Sequence, residues 1–264
     1  MPSDTTAATQ FRSPFVSDSL LAGKTAVVTG GSRGMGASHV EFLARAGAGV
    51  LIGDVLDEQG KQLAERLQGD GLRVEYTHLD VTDPQQWSSA VDLAATLLGP
   101  VTVLVNNAGT GGKKSVADCP DDEWNRIIAV NQTGVFYGMR AVIPTMRAQG
   151  GGSIVNVASQ WSHNGGGPAY VAYVASKWAV RGLTRNAALT LGPDRIRVNS
   201  ISPGLVDTAL LGSPDSVKVQ LDRTPLGRIA HVSEISGAVV YLASDLSSYA
   251  TGADILIEGG LEAG

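Results

Sequence analysis

Tyr173 and Lys177 stand four positions apart in the stretch Y-V-A-S-K. On a helix, residues at that spacing sit one above the other on the same face. An ammonium beside a phenol favours the phenolate and lowers its pKa, which suits a group that must trade a proton near neutral pH. A free tyrosine titrates near 10, so that work asks for a shift of roughly two to three units, or about 3–4 kcal/mol. The same spacing is also what a solvated surface pair shows. The pair therefore takes its meaning from the elements that position it.

Apolar runs alternate with amphipathic segments along the chain. Strands are expected at 25–29, 50–54, 73–80, 101–107, 152–159, 196–202 and 253–260. Helices are expected at 34–46, 58–67, 84–98, 121–147, 169–191 and 233–243. Short β-rich runs joined by helical crossovers predict an α/β fold: one doubly wound, Rossmann-like parallel sheet of about seven strands with helices on both faces. In such sheets ligands bind beyond the carboxyl ends of the strands, where strand order reverses. The residues just beyond each strand are then the informative part of the sequence.

After the first strand comes T-G-G-S-R-G-M-G, Thr29 to Gly36. Its glycines, Gly30, Gly34 and Gly36, let backbone approach a pyrophosphate at a helix N-terminus, with Ser32, Arg33 and Met35 between them. The spacing is G-x-x-x-G-x-G and differs from the general G-x-G-x-x-G fingerprint. After the second strand, Asp54 is placed to accept both hydroxyls of an adenosine ribose and to repel a 2′-phosphate, which favours NAD over NADP. Arg33 argues the other way, since an arginine in the glycine loop answers a 2′-phosphate; a helix cap is the plainer role for Asp54. After the third strand, Asp80 and Val81 suit an adenine edge, and Asp80 equally suits a turn before Pro84. After the fourth come Asn106, Asn107, Ala108 and Gly109, small enough to pass close to a cofactor, with amides able to tie strands together. Ser159 ends the fifth strand, fourteen positions before Tyr173. Pro203, Gly204, Val206 and Thr208 come after the sixth, the threonine placed to clamp a carboxamide. Each strand end thus carries a residue suited to one part of a dinucleotide.

Taken in order, T-G-x-x-x-G-x-G, N-N-A-G, Asn131 in the long middle helix, Ser159, Y-x-x-x-K and the P-G turn resemble the short-chain dehydrogenase/reductase family from about Leu21 to Gly260. The wording at 54–60, 151–159 and 176–184 resembles bacterial NAD-dependent hydroxysteroid dehydrogenases of the 3α/20β type. The resemblance implies an NAD-dependent oxidation of a secondary alcohol or reduction of a ketone. It implies Tyr173 as general acid/base and Lys177 as its modulator and ribose ligand. It also implies Ser159 on the substrate oxygen and Asn131 positioning a water that links Lys177 to solvent. A homotetramer is the family's usual assembly. Two other readings are a 3-oxoacyl thioester reductase, which Asp54 and the acidic balance oppose, and a non-catalytic dinucleotide sensor, which needs neither Tyr173 nor Lys177.

The substrate side is marked by a glycine-rich departure from the family pattern, Trp161 to Pro168, and by Leu205 to Leu221, read as a lid over a bulky apolar substrate. Trp161, His163, Leu205 and Leu210 are the expected substrate neighbours, with Ser159. Tyr170 is set aside as a base, because position 174 is valine. Trp178 and Val180 fit an interface or a core equally.

Composition bounds these readings. With 43% hydrophobic and 17% charged residues over 264 positions, a large core forms readily. A net charge of −5 argues against nucleic acid or an anionic membrane as main partner. Cys119 is the only cysteine, so no internal disulfide forms, and a reducing cytoplasm fits. Residues 1–20 read as a polar, flexible tail without a signal-peptide core, ahead of a catalytic domain over 21–264. The four histidines, His39, His78, His163 and His231, are scattered, and no metal-ligand spacing appears.

Overall fold

A computed structural model describes residues 19–211 and 214–263. Seven parallel strands form one sheet in the order β3-β2-β1-β4-β5-β6-β7. They are β1 (Thr25–Thr29), β2 (Gly49–Asp54), β3 (Val74–His78), β4 (Val103–Asn106), β5 (Gly152–Val157), β6 (Ile196–Pro203) and β7 (Asp254–Ile257). Chain order reverses between β1 and β4, which pair in register from Ala26 opposite Val103. The two connections that leave this point run to opposite faces of the sheet, so a crevice opens at the strands' carboxyl ends.

The period of a strand sends alternate side chains to opposite faces. Ala26 and Val28 of β1 join Val50 and Ile52 in a core roofed by α1 (Gly34–Arg45), α2 (Asp57–Gly69) and α8 (Val232–Ala243). Val27 joins Leu51, Leu104 and Ile154 in a second core under α3 (Pro84–Leu97), α5 (Gly134–Ala148) and α6 (Val171–Leu191). Val180 on α6 is fully buried there, whereas Trp178 is 47% exposed, so the pair splits between core and surface.

Two expectations about elements need revision. The long middle helix is interrupted: α4 (Asp121–Ile128) passes through a π-helical turn, Ala129–Thr133, before α5 begins. Asn131 sits in that turn and is fully buried. The segment after β6 also contains a helix, α7 (Pro214–Leu221). The expected tail lies outside the described residues except for Ser19 and Leu20, and Leu20 packs on the first core. Among the described residues, no helix is long and apolar enough to cross a membrane.

A chain of buried amides fixes the sheet to the helix carrying Tyr173 and Lys177. Asn106 Nδ2 donates to Asn156 Oδ1 at 2.8 Å, and Asn156 Nδ2 donates to Thr184 Oγ1 on α6 at 2.9 Å. Removing any member leaves a buried polar atom unpaired, at about 1–3 kcal/mol.

Candidate active site

The glycine turn is built by close approach. At Gly36, an added Cβ would lie 1.9 Å from the Gly30 carbonyl oxygen, so only glycine lets α1 start this near β1. Gly30 has φ +60°, and its Cβ would meet Ala108 Cα at 2.8 Å. The turn is stapled to the end of β4: Asn107 Nδ2 donates to the carbonyls of Thr29 (2.9 Å) and Gly30 (3.0 Å). Thr29 Oγ1 accepts from the amides of Asn107 and Ala108. A Cβ added at Gly34 would lie 3.6 Å from Thr208 Cγ2, so the loops after β1 and β6 meet across the crevice.

These residues fit a dinucleotide. Arg33, at the N-cap of α1, is exposed and makes no capping hydrogen bond, which leaves first-turn amides for an anion. Asp54 is buried and receives the Ser32 amide on Oδ2 at 2.9 Å and the Leu56 amide on Oδ1 at 3.2 Å. The Ser32 hydroxyl beside it is buried without a partner among the described residues, a polar atom suited to a ligand. Asp80 organises its own turn through Oδ1, which accepts from the Thr82 amide (2.9 Å) and hydroxyl (2.7 Å). Val81 is buried behind it.

Tyr173, Lys177 and Ser159 line the same crevice, together with Met35, Asn107 and Gly109. The Tyr173 phenol hydrogen-bonds the Ser159 side chain, which favours its ionised form, but burial outweighs this and pushes the phenol up. The lysine behaves differently from the expectation of a simple pair. Lys177 Nζ donates to the Val157 carbonyl at 2.7 Å and lies 5.7 Å from the centre of the Tyr173 ring. The i,i+4 spacing brings the lysine alongside the ring, and its head is held at the end of β5. Burial lowers the ammonium from 10.5 to about 8.

Asn131 is oriented completely. Its Oδ1 accepts the Thr110 amide at 2.8 Å, and its Nδ2 donates to Thr110 O (2.9 Å) and Ser176 Oγ (3.1 Å). Ser176 in turn donates to the Tyr173 carbonyl at 2.7 Å. Asn131 Oδ1 and Lys177 Nζ face one spot beside Gly109, 3.6 and 3.7 Å from where a Cβ would stand. The π turn is what aims Asn131 there, in keeping with the frequent placement of such turns at functional sites.

On the substrate side, Trp161, Leu205 and Leu210 line the crevice as expected, and so do Pro203, Gly204, Val206 and Thr208. His163 does not. It turns away to Asp254, its Nε2 2.5 Å from Oδ2, in a partly buried cluster with Arg181. A carboxylate already held by Ser200 and Ser202 outcompetes an apolar pocket for the imidazole. Tyr170, set aside as a base, is a wall residue: its ring centre is 4.5 Å from that of Trp161, which meets Tyr173 edge-on at 5.8 Å. Gln160 and Gln220 also line the crevice, and nothing in the sequence pattern marks either one. Gly212 and Ser213, within the expected lid, lie outside the described residues.

Comparison with known proteins agrees with this geometry. Residues 30–262 match a family model described as enoyl-(acyl carrier protein) reductase. The chain is 52% identical over 244 residues to a 3-alpha-(or 20-beta)-hydroxysteroid dehydrogenase of Mycobacterium tuberculosis, covering 92% of this chain and 91% of that protein. It is 46% identical over 250 residues to a trans-4-hydroxycyclohexanecarboxylate dehydrogenase of Sinomonas cyclohexanicum, covering 92% and 95%. A solved short-chain type dehydrogenase/reductase from Mycobacterium marinum superposes with a TM-score of 0.88 at 37% identity, covering 92% of this chain and 97% of that one. With the site's geometry beneath these matches, the chain belongs to the short-chain dehydrogenase/reductase family.

Proposed function

We propose that this oxidoreductase interconverts a secondary alcohol on an apolar ring and the corresponding ketone, with NAD as the preferred nicotinamide dinucleotide. The observation that carries the reading is the meeting of Tyr173, Ser159 and Lys177 in one crevice at the sheet's switch point. Asp54, held by the Ser32 amide at the end of β2, supports NAD over NADP, since a 2′-phosphate beside a buried carboxylate is costly.

In this reading the substrate oxygen lies between Ser159 and Tyr173, which already share a hydrogen bond. Ser159 holds that oxygen and stabilises charge on it. Tyr173 takes the hydroxyl proton during oxidation and returns it during reduction. When bound, the nicotinamide dinucleotide supplies the hydride acceptor or donor and, oxidised, a positive charge near the phenol. Lys177 adds its own charge and, with Asn131, faces the spot beside Gly109 through which a proton leaves. The rings of Trp161 and Tyr170, with Leu205 and Leu210, give an apolar body its seat.

The named ring alcohols of the two relatives support this substrate class. The thioester-reductase and sensor readings are not favoured: those relatives are named as dehydrogenases, and the chain keeps Tyr173 and Lys177. A homotetramer and a cytoplasmic location belong to the same proposal. Exposed Trp124, Phe136 and Trp178 support the first, and the single Cys119 the second.

The test is a panel of ring alcohols with NAD and NADP, followed by the absorbance of the reduced nicotinamide, for the parent and Tyr173→Phe. The variant is expected to lose turnover by at least 100-fold, the scale of general acid/base catalysis, with NAD affinity nearly retained. Lost NAD binding in a folded variant would assign Tyr173 a binding role instead.

A further inference from the structure

Gln160 comes directly after Ser159 and is only 3% exposed, yet it lines the crevice. Its Nε2 donates to Gln220 Oε1 on α7 at 2.8 Å. Gln220 Nε2 donates to the Ser216 carbonyl, one turn earlier in the same helix, at 3.3 Å. A carbonyl only accepts, so the orientation of the Gln220 amide is set, and that of Gln160 is set by it in turn. Reversing Gln160 would set oxygen against oxygen. The atom left over is therefore Gln160 Oε1, an acceptor, and it has no partner among the described residues. It lies over the turn after β6, 2.9 Å from where a Cβ on Gly204 would stand.

A buried acceptor without a donor is destabilising, and a ligand that brings a donor removes the cost. We propose that Gln160, held in place by Gln220, is a specificity residue that accepts a hydrogen bond from a second hydroxyl group on the substrate, away from the reacting carbinol. The surrounding walls, Trp161, Leu205, Leu210 and Leu211, are apolar and take the ring. The substrate class is an apolar ring alcohol carrying a further hydroxyl group. An ether, ketone or carboxylate at that position meets a lone pair and is rejected. The proposal rests on the alcohol-dehydrogenase reading of this site. A site built to bond a hydroxyl discriminates strongly against analogues lacking it, because its own polar group is then left unpaired.

The test uses the full chain saturated with NADH, so that alcohols bind without turnover. Cyclohexanediols are compared with cyclohexanol and methylcyclohexanols, with the protein's tryptophan fluorescence, to which Trp161 in the crevice contributes, reporting binding. The parent is expected to hold a diol on the order of tenfold tighter than the methyl analogue. In Gln160→Met that ratio falls to about one, and NADH affinity stays the same. Gln220→Leu, on the helix bearing the partner amide, is expected to lose the same preference, which covers a Gln160 variant that fails to fold. Equal binding of diol and methyl analogue in the parent overturns the proposal, as does a preference that survives both substitutions. Weaker NADH binding in Gln160→Met with the diol preference intact also overturns it, because the donor then comes from the dinucleotide's carboxamide. Turnover of cyclohexanol with NAD tests the underlying dehydrogenase reading separately, since the fluorescence ratio needs no reaction.

Discussion

Replacing Lys177 by methionine should change how the protein's stability depends on pH while removing a group its chemistry needs. Lys177 is 4% exposed, and burial lowers the pKa of its ammonium from 10.5 to about 8. At about 1.4 kcal/mol per unit, holding the charged form in the fold costs ~3 kcal/mol at pH 7. Because the folded-state value lies below the unfolded one, this cost is full below pH 8 and fades as pH rises toward 10.5. By pH 9.5 the linkage leaves only ~1 kcal/mol. Methionine keeps the stem's packing but leaves the Val157 carbonyl without its donor, an opposing loss of about 1–3 kcal/mol that does not vary with pH. The net difference at one pH is therefore small, and the informative quantity is its change. Urea unfolding of the parent and Lys177→Met at pH 7 and pH 9.5 should show the variant's relative stability falling by ~2 kcal/mol as pH rises. A difference that is the same at both pH values would refute the claim that a charged, desolvated lysine is held in this site.

Asp54→Ala should narrow the preference for NAD over NADP in the ratio of kcat/KM values, and an unchanged ratio would remove Asp54 from the ribose site. His39 is fully buried, with Nδ1 against Ser236 Oγ at 2.8 Å, and burial lowers its pKa from 6.5 to about 3. Stability from its neutral form is complete above pH 6.5 and is lost as pH falls toward 3. This amounts to ~2 kcal/mol between pH 7 and pH 5. Urea unfolding across that range should show the loss in the parent and a shallower slope in His39→Leu; equal slopes would contradict it.

Much of this molecule is legible in the sequence because parallel sheets write themselves as apolar runs. The run at 25–29 and the glycine turn after it are local features, and β1 and the start of α1 fall where the pattern puts them. Asn107 is similarly readable, since a short amide beyond a strand end has few places to bond. What escapes the pattern depends on contacts distant in sequence. Gln160 and Gln220 meet across 60 positions, and neither has a neighbour that marks it. His163 is drawn to Asp254, 91 positions away, by a buried carboxylate that no local rule foresees. The π turn at Asn131 keeps helical hydrophobic spacing on both sides, so periodicity reads straight through it. The Tyr173–Lys177 spacing correctly places both side chains on one helix face. The end of β5, whose Val157 carbonyl holds the lysine head, lies outside that motif.

The most direct test of the proposed chemistry is a crystal structure of this protein with NAD and a ring alcohol. The Tyr173 hydroxyl is expected within hydrogen-bonding distance, about 2.7–2.8 Å, of the alcohol oxygen, with Ser159 on that same oxygen and the nicotinamide ring alongside. A complex in which the alcohol oxygen is bound elsewhere, with the position-173 phenol facing away from the nicotinamide, would contradict it.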